Sequence, residues 1–130
     1  MNKIVLAQIN TIAGDINGNS KKISEYIDRA KNDGADLIIF PELALMGYPF
    51  GDIFIRHKSI IQNQLAELEK ITVNTTNITA LVGFCEPTND SGKKPFYNSV
   101  AVIQNGKIIN TVRKRLLPNY SEFNDYRYFE

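Results

Sequence analysis

The amino-acid sequence predicts a single α/β domain built on a mixed sheet. Two observations predict this class: short apolar segments rich in β-branched residues alternate with segments of helical periodicity, and a hairpin signature follows them. With 130 residues, 43% of them hydrophobic and 22% charged, the chain has room for one hydrophobic core. We therefore expect parallel strands joined by helices, followed by an antiparallel pair.

Three segments are predicted to form the parallel strands. Residues 3–9, "KIVLAQI", are nearly all apolar, which is typical of a central strand covered on both faces. Residues 36–40, "DLIIF", and residues 78–84, "ITALVGF", share this composition. Because helical segments separate them, we expect βαβ connections and a parallel arrangement.

Two helices are predicted between these strands. The first lies between the turn-rich residues 11–20 and Gly34, which suits a C-terminal cap. Its apolar residues recur at helical spacing: Ile23, Tyr26, Ile27 and Ala30. The second covers about residues 58–72, and its apolar face comprises Ile61, Leu65 and Leu68.

A β-hairpin is predicted after the third strand. The dipeptide Asn105-Gly106 separates "NSVAVIQ" from "KIINTVRK". A type I′ turn needs a positive φ at both central residues, and Asn-Gly is the pair that adopts it most readily. We therefore expect an antiparallel pair to extend the sheet.

Composition excludes several classes of function. A balance of 15 Lys and Arg against 14 Asp and Glu leaves a net charge of +1, so we expect no binding to nucleic acid or to a membrane surface. No apolar run has the length of a signal-peptide core or a membrane span, which favours a cytoplasmic protein. One cysteine and one histidine cannot form a zinc-binding cluster, so no metal site is expected.

An acidic residue, Glu42, follows the second predicted strand in "DLIIFPELALMGYP". Open α/β sheets bind ligands beyond the carboxyl ends of their strands, so this position favours a functional role. The alternative interpretation is a partly exposed acid that pairs with a nearby Lys or Arg. Position alone leaves both interpretations open.

A second candidate segment, "VRKRLLPNYSEFNDYRYF", is dense in cations and aromatic residues. Strand alternation places Arg113 and Arg115 on one face of the sheet and Lys114 on the other, inward face. A buried ammonium group without a partner is costly, so Lys114 needs a carboxylate or a functional cavity. Glu42 is the predicted partner.

Neither the single cysteine nor the single histidine is predicted to be catalytic. Cys85 ends the third strand, where a free cysteine is commonly a small buried hydrophobe. His57 lies near the start of the second helix and is expected on the surface. The sequence holds no "GxGxxG" and no glycine-rich phosphate loop with a lysine.

Taken together, the two candidate segments resemble the carbon-nitrogen hydrolase (nitrilase) superfamily, whose catalytic Glu, Lys and Cys occur in that chain order. "FPEL" with "GYP" is similar to the Glu segment, and "RKRLLP" to the Lys segment. Three segments together, "AQINTIAGDINGN", "FPELALMGYP" and "KRLLPNYSEFNDYRYF", resemble, more narrowly, the N-terminal glutaminase domains of the glutamine-dependent NAD⁺ synthetase family. The resemblance runs from residue 3 to 129. It implies the N-terminal part of an α-β-β-α sandwich, with a mixed sheet and helices on one face.

The resemblance also implies roles for particular residues. Glu42 would be the general base, Lys114 the cation that stabilises the oxyanion, and Tyr120 part of the glutamine pocket. The nucleophilic cysteine would lie downstream of Lys114 and outside residues 1–130. Cys85 precedes Lys114 and is therefore the wrong cysteine by order.

On this resemblance, residues 1–130 form the N-terminal part of a glutaminase domain. The intact protein would hydrolyse glutamine and pass ammonia to a C-terminal synthetase domain that amidates an ATP-activated dinucleotide. ATP and Mg²⁺ would bind that missing domain, with no cofactor in this segment, and the intact protein is expected to be a homo-oligomer. The alternatives are another amidase of the superfamily and a non-catalytic remnant or interaction module.

The isolated chain is predicted to be inactive and unstable. Half of a sandwich would leave open, apolar sheet edges, which promote aggregation or pairing with another chain.

Overall fold

The computed structural model describes residues 3–48, 51–52, 57–90, 93–121 and 123–130. The described residues form a five-stranded mixed sheet with α-helices, which confirms the predicted α/β class. In chain order the elements are β1 (Ile4–Leu6), α1 (Ile16–Asn32), β2 (Leu37–Ile39), α2 (Lys58–Val73), β3 (Thr79–Pro87), β4 (Phe96–Gln104), β5 (Lys107–Arg113) and the short α3 (Asp125–Tyr128).

The strands lie side by side in the order β1-β2-β3-β4-β5. The first three are parallel, and β4 and β5 add antiparallel to β3 and to each other, as the sequence predicts. The turn between β4 and β5 has φ values of 49° at Asn105 and 77° at Gly106, both in the left-handed region that a type I′ turn requires. The predicted hairpin is therefore confirmed.

The prediction that residues 3–9 form a central strand covered on both faces is wrong for the described sheet. β1 is only three residues long, pairs with β2 alone and lies at the edge. Leu6 is 73% exposed. An apolar sequence predicted burial, but composition does not reveal whether a strand has one neighbour or two.

The first helix begins earlier than the sequence predicts. Residues 11–20 were expected to be a turn, yet α1 starts at Ile16 because the Asp15 carboxylate accepts a hydrogen bond from Gly18 N at 3.0 Å. Asn19, almost completely buried, bonds the backbone of Ile12 through both its amide oxygen and nitrogen. These local bonds convert turn-forming residues into a capped first turn.

The hydrophobic core lies where α1 and α2 pack together against the sheet. Along β3, Ala80, Val82 and Phe84 are buried, whereas Thr79 and Leu81 are only half-buried. Because successive strand residues point to opposite faces, this alternation distinguishes a covered face from a less protected one.

The less protected face of the sheet carries a continuous row of apolar residues. We call this face of the sheet the open face. Cα register places Leu6 beside Ile39, Ile39 beside Leu81, and Leu81 beside Val102. Val112 on β5, which lies opposite Val100 on β4, is 56% exposed.

In the part of the chain that the structure describes, no helix is long and apolar enough to cross a bilayer.

Candidate active site

The turn after β2 fixes Glu42 above the sheet. Leu43 has a φ of 50° and is fully buried, so the backbone adopts a rarely populated conformation directly after Glu42. Leu45 N donates to Gly83 O at 3.0 Å. A Cβ at Gly83 would lie 2.5 Å from Leu43 N, so the turn contacts β3 at a distance that only glycine permits. Glu42 is thereby held by a tightly packed segment.

Lys114 follows the last residue of β5 and reaches Glu42. Its backbone N–H donates to Asn98 O at 2.8 Å, which continues the pairing with β4 for one more residue. Its Nζ lies 2.8 Å from Glu42 Oε1 and 2.8 Å from Asp125 Oδ2. The contact between Lys114 and Glu42 that the sequence predicts is therefore present, while the catalytic roles stay predictions.

Arg113 points to the opposite face, as strand alternation predicts. Its guanidinium binds the Glu86 carboxylate through two bonds of 2.9 and 2.6 Å, and Ser99 Oγ donates to the same carboxylate at 2.7 Å. The hydrogen bond from Arg113 is the main reason that the pKa of Glu86 is lowered. Arg113, the cation next to Lys114 in sequence, is thus paired with Glu86 away from the candidate site.

The surroundings of Lys114 favour its charged form. Burial lowers the pKa of the ammonium group, but the hydrogen bonds and charges of Asp125 and Glu42 outweigh this effect and leave the pKa raised. Lys114 is therefore a fixed cation at neutral pH. A fixed cation beside a cavity can stabilise negative charge that develops on a bound substrate.

Two further residues, Asp125 and Tyr48, lie beside the charged pair of Glu42 and Lys114. We call these four residues the charge cluster. Asp125, at the start of α3, is 2% exposed, and its backbone N–H donates to Pro118 O. Burial first, then the charges of Asp125 and Glu42, raises the pKa of Tyr48. The Tyr48 hydroxyl is therefore neutral at neutral pH.

Asn98 completes the shell around Glu42. It lies on β4, is 4% exposed, and its Nδ2 donates to Glu42 Oε1 at 2.5 Å. Glu42 Oε1 thus accepts from both Asn98 and Lys114.

An open cavity of about 750 Å³ adjoins this cluster. Its wall comprises Pro41, Glu42, Tyr48, Lys114, Leu116, Leu117, Pro118, Asn119, Tyr120 and Phe123. Tyr120 is 68% exposed, and its ring meets that of Phe123 edge-on with centroids 5.7 Å apart. All three residues that the family resemblance singled out, Glu42, Lys114 and Tyr120, therefore line one cavity.

Cys85 lies outside this cavity wall and is completely buried. Burial, with a smaller contribution from the charge of Glu86, raises the pKa of its thiol well above the usual range, so the reactive thiolate is disfavoured. Its backbone N–H and C=O are both bound by the buried side chain of Gln64, at 2.9 and 2.7 Å. His57 is exposed at the N-terminal end of α2.

Three residues of the site were not predicted: Tyr48, Asn98 and Asp125. The signals in the sequence are weak but present. Tyr48 follows Glu42 in the same segment, Asn98 is a polar residue within an otherwise apolar strand, and Asp125 is an acid among aromatic residues. Among the described residues, no group of three or more His, Cys, Asp or Glu side chains could hold a metal ion.

These features define an α/β protein with an acid–lysine cluster beyond the ends of its strands. The chain belongs to the carbon-nitrogen hydrolase family, whose sequence pattern matches residues 3–130. It is 39% identical over 130 residues to a glutamine-dependent NAD(+) synthetase of Thermotoga maritima, and this match covers 98% of the chain and 22% of the relative. A synthetase of the same name from Acinetobacter baylyi is 36% identical, with 98% and 23% covered.

Solved structures give the same result for the fold. The glutamine-dependent NAD⁺ synthetase of Acinetobacter baumannii superposes with a TM-score of 0.84 at 35% identity, over 99% of this chain and 24% of that one. An amidase from Nesterenkonia sp. superposes with a TM-score of 0.74 at 19% identity, over 99% of this chain and 47% of that one, which is a likeness of fold alone. The chain thus spans less than a quarter of the length of its synthetase relatives.

Proposed function

We propose that residues 1–130 are the N-terminal part of a glutaminase domain, and that the intact protein releases ammonia from glutamine for ATP-dependent NAD⁺ synthesis. The observation that carries this proposal is the 2.8 Å contact between Lys114 Nζ and Glu42 Oε1 on the wall of the cavity. This contact joins a carboxylate and an ammonium group next to space for a small amide, which supports the proposed roles of Glu42 as base and Lys114 as cation. The names and identities of the synthetase relatives support glutamine as that amide.

In the proposed reaction, a cysteine downstream of Lys114 supplies the nucleophile. Glu42 takes the thiol proton as the sulfur bonds to the carboxamide carbon of glutamine, and Lys114 stabilises the oxyanion. The C–N bond breaks when Glu42 gives its proton to the departing ammonia, which leaves a thioester. Water then attacks the thioester carbon as Glu42 takes a proton from it, and the C–S bond breaks as Glu42 passes that proton to the sulfur, which releases glutamate and restores the thiol.

Tyr120 is proposed to contribute to the glutamine pocket. It lies on the same cavity wall as Glu42 and Lys114, and more than half of its side chain is accessible to a ligand. Such a residue would contact the distal part of the substrate and contribute to its binding.

The remaining roles belong to the intact protein. Its partners would be glutamine, a C-terminal synthetase domain that binds ATP and Mg²⁺, and further copies of itself in a homo-oligomer. We propose a cytoplasmic location, which agrees with the synthetase reaction and its soluble substrates.

Ammonia release by the purified gene product that contains this chain tests the proposal. We expect hydrolysis of glutamine at a kcat/KM at least about 100-fold above that for small aliphatic amides. A shorter amide lacks the polar amino-acid end of glutamine, so the polar groups of the site that bind this end would have no partners. Preference for an aliphatic amide would instead indicate another amidase of the superfamily. No release from any amide would indicate a non-catalytic module.

The Cys85→Ala variant is the control for the nucleophile. We expect it to retain the wild-type glutaminase rate, since the Cys85 thiol is buried outside the cavity wall. Loss of ammonia release in this variant with the fold intact would contradict the proposed use of a downstream cysteine.

A further inference from the structure

The two oxygens of the Glu42 carboxylate are not equivalent in this site. Asn98 Nδ2 and Lys114 Nζ, at 2.5 and 2.8 Å, both donate to Oε1. The Glu42 side chain is nevertheless 48% exposed, on the cavity wall. A carboxylate has two acceptor oxygens, so engaging one of them leaves the other to face an incoming group.

Asn98 is built into the fold in a way that suits it to hold Glu42. It is 4% exposed within β4, where its Cα pairs with that of Cys85 on β3. Its backbone O accepts the hydrogen bond from Lys114 N at 2.8 Å. One residue on an inner strand therefore contacts the acid through its side chain and the lysine through its backbone.

The chemistry of the amide fits this task. An ionised carboxylate can only accept hydrogen bonds, so the group that Asn98 turns toward Glu42 is its NH₂. An amide donor orients the carboxylate without adding charge to the cluster, in which Lys114 already forms ion pairs with two acids, Glu42 and Asp125. A buried donor of this kind is also costly to leave unpaired, which favours a single position for Glu42.

We propose that Asn98 is a positioning residue which, together with Lys114, holds Glu42 Oε1 and leaves Oε2 as the atom that exchanges protons during catalysis. The inference rests on the proposed glutaminase reaction. The thiol proton passes to Oε2 as the sulfur attacks, and the same proton leaves Oε2 for the nitrogen that departs as ammonia. Both hydrogen bonds to Oε1 persist through these steps.

The test combines kinetics and crystal structures of the gene product that contains this chain. We expect Asn98→Ala to lower kcat for glutamine about 10- to 100-fold while KM changes less than about twofold, because a displaced base affects the transition state more than substrate binding. In the crystal structure of this variant, the Glu42 carboxylate should leave its wild-type position. Asn98→Asp keeps the shape of the side chain but loses the donor, and it should lower kcat at least as much.

Ser99→Ala is the matched control. Ser99 is the next residue on the same strand, is 1% exposed, and donates to a carboxylate, Glu86, on the opposite face of the sheet. Asn98→Ala and Ser99→Ala therefore each remove one hydrogen bond that a side chain of β4 donates to an acid. The control should keep the wild-type kcat and the wild-type position of Glu42.

An unmoved Glu42 in crystals of both Asn98 variants would overturn the proposal whatever their activity, as would a kcat within about twofold of wild type. If the wild-type protein releases no ammonia from glutamine, the proposed function fails, and the position of Glu42 still decides whether Asn98 holds it. A displaced Glu42 with a reduced kcat and a nearly constant KM supports the proposal.

Discussion

Asp125 Oδ2 lies 2.8 Å from Lys114 Nζ, and the Asp125 side chain is only 3% exposed. The same ammonium group contacts Glu42, whose side chain is 48% exposed. Lys114 is thus shared between a buried acid and an accessible one. The buried partner anchors the cation, while the accessible partner lies where a substrate can reach it.

The first prediction concerns the charge of Lys114. In Asp125→Asn the buried anionic partner is lost, so the pKa of Lys114 should fall, because the hydrogen bond and charge of Asp125 help to raise it. The measurement is a pH titration of Lys114 Nζ by ¹⁵N NMR in both proteins. An unchanged Lys114 pKa in the variant would contradict the role given to Asp125.

The raised pKa of Lys114 also fixes the direction of a pH effect on stability. A raised folded-state pKa stabilises the fold fully below the unfolded value, near 10.5, and this contribution is lost as the pH rises through the folded-state value. Wild type should therefore lose free energy of unfolding above about pH 10.5 relative to Asp125→Asn. A constant difference between the two proteins through this alkaline range would argue against the linkage.

The second prediction concerns Gln64, whose fully buried side chain binds the backbone N–H and C=O of Cys85. Gln64→Leu should lower the free energy of unfolding by about 2–4 kcal/mol, because it leaves two buried backbone groups without partners. Urea unfolding measures this change. Gln62→Leu, the same substitution at an exposed position of α2, should cost less than about 0.5 kcal/mol. Equal costs at the two positions would contradict the interpretation.

The third prediction concerns substrate binding by Tyr120. Tyr120→Ala should raise KM for glutamine about tenfold with little change in kcat, because the residue is expected to bind ground state and transition state alike. Steady-state kinetics of ammonia release measure both constants. Tyr126→Ala is the control: Tyr126 is 61% exposed in the same segment but packs under Lys94 and is not part of the cavity wall. A KM for Tyr120→Ala no higher than that for Tyr126→Ala would contradict the proposed place of Tyr120 in the glutamine pocket.

The fourth prediction concerns the open face. Residues 1–130 expressed alone should self-associate and lack a cooperative, monomeric thermal transition, because Leu6 and Val112 expose apolar surface on that face. Leu6→Lys with Val112→Lys should reduce association in sedimentation velocity experiments, whereas Gln62→Lys, on an exposed helical position, should not. A monomeric wild-type chain with a sharp thermal transition would show that the open face needs no covering segment.

Much of the fold follows from the sequence because its signals are local. Apolar runs gave β2 and β3, helical periodicity gave α2, and Asn105-Gly106 gave the hairpin. The start of α1 was missed because capping by Asp15 depends on a side chain that also favours turns. The edge position of β1 was missed because strand order is a long-range property that composition does not encode.

The site was predicted in part for a similar reason. Strand alternation paired Lys114 with Glu42, since a buried cation needs an acid. Asn98 lies 56 residues from Glu42 in sequence, and only the sheet register brings the two together. Asp125 was missed because its burial and its contact with Lys114 depend on tertiary packing, which no periodicity describes.

The most direct test of the proposed catalytic pair is the glutaminase rate of the gene product with Glu42→Ala or Lys114→Ala. Loss of a general base or of an oxyanion-stabilising cation normally costs about 100-fold or more, so we expect kcat to fall at least that far in each variant. The variants should keep their fold, measured by circular dichroism and thermal unfolding. A folded variant at either position with a glutaminase rate within about tenfold of wild type would contradict the assignment of Glu42 and Lys114 as the catalytic base and cation.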